Sequence, residues 1–265
     1  MGSVIITGAS SGFGRAAASL FAGAGHPLVL LARRKDRLAE VEALLQQQVP
    51  VHIEVLDVRD QDALAGLVDR LPDAYRPIDV LLNNAGLALG LGAADQADLA
   101  DWDTMVDTNI KGLMYCTRAV LPAMVAQKAG HIINLGSVAG NWPYPGGNVY
   151  GGTKAFVQQF SRNLRADLLG KGVRVTTIDP GMCETEFSEV RFGGDEEKAA
   201  AAKSTAAYQA KVAEEKKEVD HKAARIAEKK RLDEVKAAKI AEEKRLAEEK
   251  RLAEEAARIA EEQRL

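Results

Sequence analysis

The sequence predicts an α/β fold built on a doubly wound parallel sheet. Three observations carry that prediction. Six apolar runs rich in Val, Ile and Leu recur through the first 181 residues. Amphipathic helical patterns separate them. Each run ends in a turn of small or polar residues, where parallel sheets of this kind take their ligands. Continuous apolar strands alternating with helices imply a sheet covered on both faces.

The strands are read at 4–7, 28–32, 51–56, 80–82, 131–135 and 173–178, and the helices at 14–24, 37–47, 63–70, 102–127 and 149–169. The chain of 265 residues carries 35 basic and 38 acidic side chains, a net charge of −3. That balance excludes a nucleic-acid binder working through a strong positive field. No apolar run approaches the ~20 residues of a membrane span. A strand begins almost at Met1, so no signal peptide is expected before the fold. Cys116 and Cys183 form neither a metal-ligand spacing nor a disulfide framework, which suits a reducing cytosol. His26, His52, His131 and His221 are scattered, and no metal is expected on them.

The first strand runs into Gly8-Ala9-Ser10-Ser11-Gly12-Phe13-Gly14 and then a helix. Glycines allow a tight turn and let backbone amides approach a pyrophosphate at the positive helix end. Strand, glycine turn and helix in that order make a Rossmann-type dinucleotide site. The second strand ends in Arg33 and Arg34, where an NAD site usually carries an acid. A guanidinium fork suits a 2′-phosphate, so NADP is expected. The plain alternative is a solvated pair opening the next helix. Asp57, followed by Val58, ends the third strand and is placed to meet an adenine amino group. Asn84, in Asn83-Asn84-Ala85-Gly86, ends the fourth, where small residues allow close approach of a cofactor.

Tyr150 and Lys154 are four apart, so a helix puts both on one face. A nearby cation stabilises phenolate and lowers a tyrosine pKa, as a general acid/base needs. Ser137 follows the fifth strand at the same sheet edge, able to hydrogen-bond a substrate oxygen. Asn109 falls inside the long helix before that strand.

Together these motifs resemble the short-chain dehydrogenase/reductase family over about residues 3–208. Segments 84–90, 142–144, 147–150, 185–188 and 190–192 are similar to bacterial NADP-dependent 3-hydroxy acid dehydrogenases within it. The resemblance implies oxidation of serine, allo-threonine or 3-hydroxypropionate, and reduction of malonic semialdehyde in reverse. Tyr150 becomes the proton donor and acceptor. Lys154 lowers its pKa and holds the nicotinamide ribose, Ser137 orients the reacting oxygen, and Asn109 anchors a relay water. Pro180, Gly181 and Met182 lead to Thr185, which holds the carboxamide. Arg191 is the candidate partner for a substrate carboxylate, a solvated loop arginine being the alternative. Trp142 and Tyr144 wall the pocket or simply pack. A homo-oligomer of two or four chains is implied, with no nucleic-acid or membrane partner.

The resemblance stops at the end. The family's last strand is not recognised after residue 208. Residues 209–265 hold 31 charged side chains in 57, with no Gly, Pro or aromatic. That composition predicts a long helical extension, about 85 Å if continuous. Its leucines and isoleucines step by six to eight residues and drift around the helix, so a solvated single helix is expected, with a weak self-associating coiled coil as alternative. Two functions follow: an NADP-dependent oxidoreductase, or a truncated or fused dehydrogenase module, active or not, serving as scaffold for a helical spacer or tether.

Overall fold

A computed structural model describes residues 1–181 and Arg191. Its six strands are β1 (Ser3–Thr7), β2 (Leu28–Ala32), β3 (Val51–Val55), β4 (Ile78–Asn83), β5 (Gly130–Leu135) and β6 (Val173–Ile178). They form one sheet in the order β3-β2-β1-β4-β5-β6, with every neighbouring pair parallel. All five residues of β1 and of β2 are buried, which explains why these runs are apolar without alternation. Adjacent residues still part to opposite faces. Val4 and Ile6 meet Ala18, Ala22, Leu38 and Val41 of α1 (Gly12–Gly23) and α2 (Lys35–Leu45). Ile5 belongs to the other layer, with Leu64, Leu67, Val120, Met124 and Leu164.

That second layer comes from α3 (Gln61–Leu64), α4 (Leu67–Arg70), α6 (Leu113–Ala126) and α7 (Asn148–Asp167). The helix expected over 63–70 is broken into α3 and α4 at Gly66, whose φ of +65° lies in the left-handed region. The helix expected over 102–127 starts earlier, as α5 (Leu99–Val106), where the Asp98 carboxylate accepts from the Ala100 amide at 2.9 Å. Between α5 and α6 the helix widens into a π segment, Asp107–Gly112. An extra residue per turn is invisible to a 3.6-residue pattern, and such segments often sit at functional sites.

The strand order reverses between β1 and β4. The crevice outside their carboxyl ends is the topological switch point, and the glycine turn and residues 83–86 both open onto it. Among the described residues, no helix is long and apolar enough to cross a membrane. Among them, too, no cluster of three His, Cys, Asp or Glu is placed to hold a metal ion. Met182 and Thr185, the question of the last strand, and the 209–265 extension lie outside the described residues.

Candidate active site

The cofactor end is a set of loops that brace one another. Gly8 has φ +65°, and a Cβ there would stand 2.8 Å from Asn84 Nδ2 and 3.0 Å from Ala85 Cα. Thr7 Oγ1 accepts the amides of Asn84 and Ala85 at 3.0 and 2.9 Å. Asn84 Nδ2 donates to the carbonyls of Thr7 and Gly8 at 2.8 and 3.1 Å. Asn84 therefore clamps the glycine turn to β4 through its side-chain amide. Gly12 and Gly14 open α1, and Ala9 and Ser10 are buried beneath the turn. Phe13 is exposed.

The two arginines after β2 divide. Arg34 reaches back to the turn, donating to Ser10 Oγ at 3.2 Å and Ser11 Oγ at 2.7 Å. Arg33 stays at the surface, with Nη1 3.8 Å from Asp57 Oδ2. Asp57 also holds Arg59, a residue sequence reasoning missed. Burial alone would raise the Asp57 pKa, but hydrogen bonds and charge from Arg59, then Arg33, outweigh it and bring the carboxyl below its ordinary range. Only the pair's sequence adjacency, Asp57-Val58-Arg59, could have signalled this. The Val58 side chain belongs to the core, so only its backbone lines the strand end.

The catalytic end is buried. Tyr150 and Lys154 lie one turn apart on α7, as their spacing predicts, and Lys154 Nζ stands 5.8 Å from the Tyr150 ring centroid. Lys154 Nζ donates to the Leu135 carbonyl at 2.8 Å, which ties α7 to the end of β5. Ser137 caps a short 3-10 turn, its Oγ accepting the Ala139 amide at 3.1 Å. That turn lies flat on α7: a Cβ at Gly140 would be 2.8 Å from the Lys154 carbonyl carbon. The serine hydroxyl thereby hydrogen-bonds Tyr150.

Burial pushes the Tyr150 phenol up to about 12, against smaller downward pulls from the Ser137 hydrogen bond and the Arg191 charge. The expected lowering by Lys154 is not seen. The physical reason is that desolvation of the ring dominates, and the same burial drops Lys154 to about 8. Tyr150 is therefore a protonated phenol at neutral pH, poised as an acid.

Asn109 falls in the π segment and is buried. Its Oδ1 accepts the Leu87 amide at 2.9 Å, and its Nδ2 donates to the Leu87 carbonyl at 2.8 Å and to Thr153 Oγ1 at 3.1 Å. The side chain thus fastens the loop after β4 to α7 at the position before Lys154. Arg191 meets the same group. Its guanidinium carbon lies 5.6 Å from the Tyr144 ring centroid and 5.8 Å from that of Tyr150, while Nη2 donates to Tyr144 Oη at 3.2 Å. Its Nε and backbone carbonyl pair with Gly90 at 3.0 Å each. Tyr144 packs against the cluster that contains Tyr150. Trp142 is 67% exposed, whereas Trp102 of α5 packs against the apolar cluster of Leu87, Ala88, Met105 and Tyr150. Pro180 and Gly181 follow β6 at this edge, the Pro180 carbonyl accepting the Val138 amide at 3.1 Å.

A dinucleotide turn at a switch point, beside a buried Ser-Tyr-Lys group, defines a nicotinamide-dependent oxidoreductase fold and site. The short chain dehydrogenase description matches residues 3–195, and the chain belongs to that family. It is 60% identical over 194 residues, 73% of this chain and 77% of the relative, to sulfoacetaldehyde reductase 2 of Chromohalobacter salexigens. It is 54% identical over 197 residues, 74% of this chain and 79% of the relative, to the NADP-dependent 3-hydroxy acid dehydrogenase of Escherichia coli K12. A solved closed form of serine dehydrogenase complexed with NADP+ superposes with a TM-score of 0.73 at 52% identity, covering 76% of this chain and 81% of that one.

Proposed function

We propose that this protein is an NADP-dependent dehydrogenase/reductase of short hydroxy acids, acting on a CH–OH group near a terminal anion. One observation carries the reading: the Arg191 guanidinium lies over the rings of both Tyr144 and the buried Tyr150. A fixed cation beside a protonated phenol suits a small substrate with an anionic end and a reacting oxygen. Serine, allo-threonine and 3-hydroxypropionate fit, with malonic semialdehyde in the reductive direction. The reductases of sulfoacetaldehyde among the relatives extend the anion to a sulfonate.

The residues at the cofactor end fit NADP. The left-handed Gly8 and Gly12, the latter at the α1 N-terminus, suit a pyrophosphate, and the arginine corner suits a 2′-phosphate. When bound there, NADP supplies the redox half of the reaction at its nicotinamide. The chain supplies the rest. Arg191 holds the acid group and fixes which end of the substrate enters. Ser137 Oγ holds the reacting oxygen. Tyr150 Oη gives that oxygen a proton in reduction and takes it in oxidation. Lys154 keeps a positive field behind the phenol and offers its ammonium to the ribose. Asn109 keeps α7 and the loop after β4 in register and, by the resemblance, anchors a water of the proton relay. Pro180 and Gly181, and by the family resemblance Met182 and Thr185, would hold the nicotinamide end of the cofactor. The dehydrogenase domain is read as 1–208; the composition of 209–265 fits a charged helical extension, and the chain is taken to work as a cytosolic homo-oligomer. The scaffold alternative is disfavoured, since it gives no role to an assembled Ser137–Tyr150–Lys154 group.

The test is NADPH consumption with malonic semialdehyde, sulfoacetaldehyde and a neutral aldehyde of equal length. Turnover of the anionic substrates well above the neutral one is expected. A folded protein that binds NADPH and turns over none of them sinks the enzyme reading.

A further inference from the structure

Arg59 closes on Asp57 from one side. Nε donates to Oδ1 and Oδ2 at 3.1 and 3.0 Å, Nη2 donates to Oδ2 at 2.7 Å, and the Arg59 backbone amide donates to Oδ1 at 2.9 Å. Arg33 stands on the other side, 3.8 Å from Oδ2, its side chain 61% exposed. β2 and β3 pair through Ala32 and Val55, so the turns carrying these residues leave the sheet side by side. Arg34 from the same turn is tied to Ser10 and Ser11 of the glycine turn. Two guanidinium groups thus flank one carboxylate beside the cofactor crevice, and a third, from the same turn as Arg33, braces the glycine turn.

The carboxylate is the awkward member. A 2′-phosphate is close to dianionic, and an ionised acid beside it repels it. An uncovered Asp57 would also tighten its existing contact with Arg33 and hold that guanidinium away from a phosphate. Resting on the NADP reading above, we propose that Arg59 is a specificity-determining residue for the phosphorylated cofactor, acting through Asp57. By chelating both carboxylate oxygens it offsets most of the negative charge at the corner, so that Arg33, whose own contact with Asp57 is the longer one at 3.8 Å, can turn to the phosphate. Arg59 itself does not touch the phosphate.

The test measures binding alone. Full-length wild type, Arg59→Gln, Asp57→Asn and the double variant are titrated with NADPH and with NADH by nucleotide fluorescence at low ionic strength, without substrate. The ratio of the two affinities cancels any shared loss of adenine contacts or of local folding. Wild type should prefer NADPH. Arg59→Gln should shrink the ratio about fivefold, the scale of a partly exposed charge interaction. Asp57→Asn added to it should restore the ratio to within about twofold of wild type. An unchanged ratio in Arg59→Gln overturns the inference and leaves the NADP reading standing. A ratio that stays low in the double variant also overturns it, because Arg59 would then be a direct phosphate ligand. A wild type without preference for NADPH overturns both readings.

Discussion

The two ends of the crevice are held by different physics. At the cofactor end, short polar side chains and arginines on neighbouring loops bind backbone and one another, and much of the set is exposed. At the catalytic end, Tyr150, Lys154, Ser137 and Asn109 are all buried and reach one another through a helix, a 3-10 turn and a π segment. Exposed charges are screened and individually weak. Buried polar groups are strong where paired and expensive where not. The difference implies that changes at the first end tune affinity, whereas changes at the second abolish chemistry or shift its protonation.

The sharpest way to break that contrast is Tyr150→Phe. Loss of a positioned general acid should lower turnover by about 10²–10⁴-fold. NADPH binding, measured by fluorescence, should be unchanged. Retained turnover would reassign the proton donor.

Arg191→Leu comes next. Removing a charged hydrogen-bond partner should raise KM for malonic semialdehyde or sulfoacetaldehyde by about 10–100-fold. KM for a neutral aldehyde should hold steady. Equal losses on charged and neutral substrates would mean that Arg191 only fastens the loop at Gly90.

Asn84→Ala probes the first end. It strands the Thr7 and Gly8 carbonyls and should lower folding stability by about 1–3 kcal/mol in urea titrations, with weaker NADPH binding and little change in kcat at saturating cofactor. A fall in kcat larger than the fall in NADPH affinity would erase the distinction between the ends.

The smallest expected effect is a pH dependence of stability. Native Lys154 releases its proton near pH 8, but the unfolded chain does so near 10.5. Between those values the unfolded chain binds more protons, so native stability rises with pH. From pH 10 upward Tyr150 acts oppositely: its phenol is held to about 12 in the fold and ionises near 10 when unfolded, so stability falls. The melting temperature of wild type should therefore climb relative to Lys154→Met between pH 8 and 10. Parallel curves would show that Lys154 is better solvated than its burial indicates.

Much of this was legible beforehand where the signal is contiguous. Gly8 to Gly14 announce a turn because glycine alone relieves the backbone there, and Tyr150 and Lys154 share a face because four residues make about one turn. The clamp of Asn84 on the glycine turn was not legible, because its partners lie 76 and 77 residues away. That Trp102, and not Trp142, joins the apolar cluster containing Tyr150 is likewise a matter of which helix lands there.

By itself the sequence determined the parallel sheet, the dinucleotide turn, the family and the Ser-Tyr-Lys group. Each depends on local propensity, periodicity or a short motif. The tertiary structure alone decided the protonation of that group and the partners of its arginines. Burial sets how much an ionised phenol or ammonium is penalised, and no spacing along a chain reports how much water is left around Tyr150, Lys154 or Asp57.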